Sequence, residues 1–165
     1  MTNYRIEKSK LIFNQANGFL KIIDGIPYKH EDIMYLNPFY INCLFCCELY
    51  FKALLIYNGY PVKVLRKKGH KLLDLFNMLG EDDKRIIRNI FEIEIQEDMI
   101  DYLDRINNDF VNMRYVYVNG NKIDSKTINN NFAKTIRLMY RLQNFVSLKL
   151  YNRDTYEDVI NNVSI

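Results

Sequence analysis

Two histidines, three cysteines, three prolines and no tryptophan occur among the 165 residues of this chain. Each shortage excludes something. Structural zinc sites take four ligands, usually from two spaced pairs of cysteine or histidine. Here Cys43, Cys46 and Cys47 lie within five positions, with only His30 and His70 to add to them, so no metal site is expected. An odd number of thiols on one short segment is no secreted disulfide framework, and suits a reducing compartment. The opening MTNYRIEKSK is polar and charged, unlike a signal peptide. Asn42, Glu48 and Lys52 break the longest apolar runs, below the ~20 residues that cross a bilayer. A soluble, cytoplasmic protein without membrane contact is the expectation. The chain also lacks a phosphate-cradling glycine loop, paired histidine ligands and any recognisable Ser/His/Asp order, so no cofactor is expected. No repeat, low-complexity tract or flexible linker divides it, which leaves a single domain over residues 1–165.

What the chain does have is apolar periodicity. Hydrophobic residues make up 48%, enough to fill a core without disulfides or metal. Residues 4–23 place Leu11, Ile12, Ala16, Phe19, Leu20 and Ile23 at spacings of three and four, an amphipathic helix. Residues 24–38, with two prolines and a glycine, read as a connection. A second helix spans 39–58 and stops at Gly59 and Pro61. After a basic loop, 70–79 carries Leu72, Leu73, Phe76 and Leu79 on one stripe, and short helical patterns follow at 81–91 and 97–111. Residues 114–123 alternate in a strand-like way around Asn119-Gly120, a hairpin or an irregular loop. The last helix spans 125–151, with Phe132, Ile136, Met139, Leu142 and Leu150 on one seam. The fold class is all-α, an antiparallel bundle of about four long helices with one or two short ones.

The second helix is apolar on every side of its wheel, yet Glu48 and Lys52 lie about 40° apart on it. Glutamate four residues before lysine favours an ion pair. On a buried helix such a pair is costly unless well satisfied, which marks a polar site or a specificity device. The three cysteines lie on the opposite face and read as core, where a thiol is inert.

Net charge is +3 but unevenly spread. Residues 81–109 hold ten acids and four bases, net −6, so the rest carries +9. The basic stretches are KVLRKKGHK at 63–71 and residues 125–153. This asymmetry suits an anionic partner on one face and a solvated acidic face elsewhere. Candidate phosphate contacts are Lys52, Arg66, Lys67, Lys68, His70 and Arg114, with Lys134, Arg137 and Arg141 as a basic stripe on the last helix. Tyr115 and Tyr117, beside Arg114, are candidates for stacking on a base. His70, Arg114 and Glu48 are the candidates for catalysis.

Three segments, CELYFKALLIYNGYP, GHKLLDLF and NDFVNMRYVYV, follow one another in an order and spacing that resembles the HEPN superfamily, small helical domains of higher eukaryotes and prokaryotes that bind nucleotides. The resemblance covers most of residues 40–150. It implies a bundle of about four long helices, commonly a homodimer. Many members are RNA-cleaving toxins or defence proteins with an arginine and a histidine separated by four to six residues. Only Lys67, Lys68 and Gly69 separate Arg66 from His70, and no histidine follows Arg114, so that nuclease motif is absent in its usual form. The partners implied are a second copy, RNA or nucleotide, and an antitoxin or a nucleotidyltransferase.

The leading expectation is therefore a HEPN-like, non-catalytic protein that binds nucleotide, RNA or a protein partner, in a toxin–antitoxin or defence setting. Two alternatives stand beside it. One is a ribonuclease with a rearranged site built on His70 and Arg114. The other is a dimeric interaction module that sets a face of the second helix at a two-fold interface.

Overall fold

The computed structural model describes residues 3–25, 33–114 and 125–151, with the side chains of 33–36 and 125–129 left aside. These residues form helices and no strand: α1 (Asn3–Gly25), α2 (Ile33–Tyr57), α3 (Val62–Lys68), α4 (Leu72–Asn77), α5 (Glu81–Ile95), α6 (Met99–Ile106), α7 (Asp109–Arg114) and α8 (Ser125–Tyr151). The described residues bear out the all-α class; among them three helices are long, at 23–27 residues, one has 15 and four have 6–8. The 114–123 alternation lies beyond the described residues from 115 onward.

Helix α2 is the centre. Leu44, Cys47, Tyr50, Phe51, Ala53, Leu54 and Leu55 are each at most 1% exposed, because α1, α4, α7 and α8 all pack against it. Each such leucine or phenylalanine contributes about 1.5–3 kcal/mol through removal of apolar surface from water. Helices of the same chain thus pack against the helix whose face the dimer reading set at a two-fold interface. By length and composition alone Asn37–Tyr57 is also apolar enough to cross a bilayer, with a mean hydropathy of 1.6. The expectation that no segment comes near this is corrected too: Glu48 and Lys52 interrupt the run but too sparsely to lower its mean. In the fold, 78% of that window is buried by protein.

Small residues bring α1 onto α2. Ser9 and Ala16 are fully buried on α1, and the Cys46 thiol donates to the Ala16 carbonyl at 3.5 Å. Phe13 meets Tyr50 and Phe19 meets Phe45, so the two helices run in opposite directions. Phe13 also meets Tyr151, and Tyr140 donates to Asp24, which sets α8 against α1 as well. Helices α2 and α8 therefore share a direction, consistent with Tyr40 meeting Phe132.

Two boundaries differ from the sequence reading. Helix α2 begins at Ile33 and carries Pro38 within it, so 33–38 is no connection. A proline this close to the N-terminal end deprives only one carbonyl of its partner, and the Asn42 amide donates to the Pro38 carbonyl at 2.9 Å. The supposed basic loop is largely helix α3, entered from Pro61 and anchored by buried Leu65. Seven residues with one buried side chain give too little periodicity to read as a helix.

Candidate functional site

Helix α3 ends at Gly69, whose φ of +65° is a conformation glycine adopts at no steric cost. That turn releases the chain from α3 and aims His70 back at α2. His70 Nδ1 lies 2.6 Å from Glu48 Oε2, while Lys52 Nζ donates to Glu48 Oε1 at 2.5 Å. Both carboxylate oxygens are thus occupied, and Glu48 is only 2% exposed. A carboxylate accepts, so toward it His70 serves as donor in the tautomer that carries its proton on Nδ1, which turns Nε2 away from Glu48. The imidazole itself is 40% exposed.

Phe110, on α7, completes the wall. The His70 ring stacks on it, centroids 4.3 Å apart and 25° from parallel, and the Arg114 guanidinium lies over the same ring at 5.9 Å. Three of the sequence candidates therefore meet: Glu48 and His70 directly, and Arg114 through one aromatic ring. Phe110 was missed, although its place four residues before Arg114 sets both on one face of α7. Helix α7 is held to the core by Tyr40, which donates to Asp109 Oδ2 at 2.6 Å. The segment after His70 is held by Asn107, whose Oδ1 accepts from the Leu73 amide at 3.1 Å.

Next to this cluster, Lys63, Arg66, Lys67, Lys68 and Lys71 are all exposed, and none forms an ion pair with a described residue. They make an uncompensated cationic rim on α3 and the turn after it. The stripe on α8 differs. Lys134 donates to Glu97 at 2.7 Å and Arg141 to Glu94 at 2.6 Å, so these two are already committed to acids of the α5–α6 region; Arg137 is exposed. The net −6 of residues 81–109 is thus met in part by the chain itself, which corrects the reading of that stretch as simply solvated. Burial pushes Glu97 up, but hydrogen bonds from Lys134 and Arg105 outweigh it and hold its carboxyl below the usual range. Tyr115 and Tyr117 lie outside the described residues.

The cysteines belong to the core. Cys43, Cys46 and Cys47 are fully buried and free, and burial pushes the Cys46 thiol up to about 12 and the other two higher still. No cluster of three or more metal-ligating side chains occurs among the described residues. A separate cleft of about 640 Å³, lined by Arg5, Tyr57, Tyr60, Asp83 and Lys149 among others, includes none of the sequence candidates. Its buried Asp83 is satisfied by Asn58 at 2.7 Å and Lys149 at 2.8 Å.

No protein-family model matches this chain, and neither does any curated protein or solved structure.

Proposed function

We propose that this chain is a cytoplasmic HEPN-like domain that binds the phosphates of a nucleotide or RNA at the His70 face without cleaving them. The observation that carries this reading is the contact of His70 Nδ1 with the buried Glu48 carboxylate. It fixes a half-exposed imidazole beside Arg114 and beneath the cations of α3. Arginine suits a phosphate through its fork of N–H donors, and the α3 lysines supply long-range attraction. Cleavage of a phosphodiester by acid–base chemistry needs one group to take a proton and another to give one. His70 fills one such role, whereas Lys52 is engaged by Glu48, so binding is favoured over hydrolysis.

Fluorescence anisotropy with labelled single-stranded RNA and with nucleotides tests this. Binding should weaken steeply with salt. Lys67→Ala with Lys68→Ala should make the slope of log affinity against log salt shallower by roughly 0.7 for each phosphate that the two lysines neutralise. Absence of binding at low salt would refute the reading.

A second reading, a ribonuclease with a rearranged site, draws on the same bond, because a carboxylate that orients a histidine also serves a general base. It requires RNA cleavage and growth inhibition on expression, both relieved by His70→Ala. RNA left intact by the wild-type protein excludes it.

A further inference from the structure

We propose that His70 Nε2 is a phosphoryl-acceptor site, and that the group it takes up switches off polyanion binding at this face. The switching rests on the reading of the face as phosphate-binding, whereas the acceptor chemistry stands on the geometry of His70.

Three features shape that geometry. Nδ1 lies 2.6 Å from Glu48 Oε2, too close for two bare lone pairs, so a proton sits between them. With that proton on the imidazole, Nε2 carries the ring's free lone pair. Phe110 stacks on the ring, centroids 4.3 Å apart, and fixes its plane. No described residue hydrogen-bonds Nε2. Because Nδ1 faces a buried carboxylate and Phe110 covers one ring face, the exposure of the side chain, 40%, leaves the edge with Nε2 toward solvent.

An imidazole nitrogen so placed is a nucleophile. Attack of Nε2 on phosphorus leaves a positive charge on the ring, and the Nδ1 proton then joins an imidazolium to the Glu48 carboxylate. A buried carboxylate in that place stabilises the imidazolium, and Lys52 at 2.5 Å holds the carboxylate there. Glu48 is thus the positioning residue. Cations for the phosphoryl oxygens come from Arg114, over the same Phe110 ring, and from exposed Lys67 and Lys68 just before His70 in the chain. Phosphoryl transfer depends mainly on such positioning and charge stabilisation.

The class of donor follows from what the site lacks. Lys52 is committed to Glu48, so among the described residues no positioned acid stands ready for a leaving alkoxide. A phosphodiester therefore stays intact, whereas a donor whose leaving group needs no proton reacts. Acyl phosphates, which lose a carboxylate, and N-protonated phosphoramidates, which lose an amine, are such donors. With phosphoramidate itself, the Nε2–P bond forms as the P–N bond breaks. The electron pair of the broken bond departs on ammonia, and the charge lost from that nitrogen reappears on the imidazolium, which keeps its Nδ1 proton. The new phosphoryl group carries close to two negative charges, which offset the α3 cations and repel a polyanion.

The test uses the full chain with His30→Gln, which leaves His70 as its one histidine. It is treated with phosphoramidate and followed by mass spectrometry and phosphorus NMR. One phosphoryl group should attach as the Nε2 isomer, in a linkage labile to acid and stable to alkali. Attachment should be about tenfold or more faster than to the same chain in urea, where neither ring nitrogen is held. Adding His70→Gln should abolish it. Glu48→Gln keeps an acceptor for Nδ1–H but not the charge, and should slow labelling about tenfold at unchanged helical circular dichroism; if that variant does not fold, the ratio of native to urea rates decides. The labelled chain should bind single-stranded RNA about tenfold or more weakly than the unlabelled chain at low salt. An Nδ1 product, native labelling no faster than in urea, or a label that survives His70→Gln overturns the acceptor site, even where RNA binding is intact. Equal RNA binding by labelled and unlabelled chains overturns the switch. RNA binding by neither overturns the switch together with the phosphate-binding reading, while the labelling result still decides the acceptor site.

Discussion

Removal of the Glu48 carboxylate should be among the most damaging single changes available on α2. Its two oxygens are held by Lys52 at 2.5 Å and His70 at 2.6 Å, and its side chain is only 3% exposed. Glu48→Ala leaves the Lys52 ammonium, itself on a side chain 16% exposed, without its acid. Loss of one partner of a buried pair costs about 3–5 kcal/mol. Lys52 can extend its stem toward solvent, which brings the figure toward the lower end, about 3 kcal/mol. For a domain of this length each kcal/mol moves Tm by roughly 2–4 °C, so a fall of about 6–12 °C is expected. The double variant E48L/K52M removes both charges at once. Because replacement of a buried pair by apolar groups is often neutral, it should recover most of the loss. Thermal and urea unfolding followed by circular dichroism measure both. A cost below about 1 kcal/mol for Glu48→Ala, or a double variant no more stable than the single one, would refute the argument that a desolvated ion pair fixes His70.

The thiols offer a direct check of the core. In native protein a thiol reagent should modify none of Cys43, Cys46 and Cys47, and in denaturant it should modify all three; rapid native labelling would contradict their burial. Asp109 gives a pH test of the α7 anchor. Burial raises its carboxyl above the ordinary value of 3.8, opposed by hydrogen bonds from Tyr40 and Asn131. The folded state therefore holds this proton more tightly than the unfolded one, and the contribution of Asp109 to stability falls as pH rises through the window just above 3.8. Relative to Asp109→Asn, the wild type should lose stability as pH rises through the carboxylate range; a relative gain would reverse the assignment.

Much of the architecture is local and was readable as such. The last helix runs from 125 to 151 as its spacing predicts, and the first from 3 to 25, because a 3.6-residue apolar period is a property of consecutive residues. Short helices were not readable in the same way. In α3 one buried leucine and the half-buried Val62 provide the apolar anchors, and in α2 the start at Ile33 overrides the usual meaning of Pro38. Composition settled the cysteines early, since a thiol inside an apolar helix has few other uses.

The candidate site shows where local reasoning ends. Sequence alone marked Glu48 and Lys52 as a pair, because four residues of helix bring them together. It singled out His70 and Arg114 as separate features of a basic turn and a helix end. Only the tertiary structure decided that residue 70 returns to residue 48, that Phe110 stands between His70 and Arg114, and that Lys134 and Arg141 are spoken for by Glu97 and Glu94. The physical reason is distance along the chain. Helical periodicity acts over three or four residues, while the bonds of His70, Lys134 and Arg141 to their acids span 22 to 47 and exist only once the turns between helices have been made.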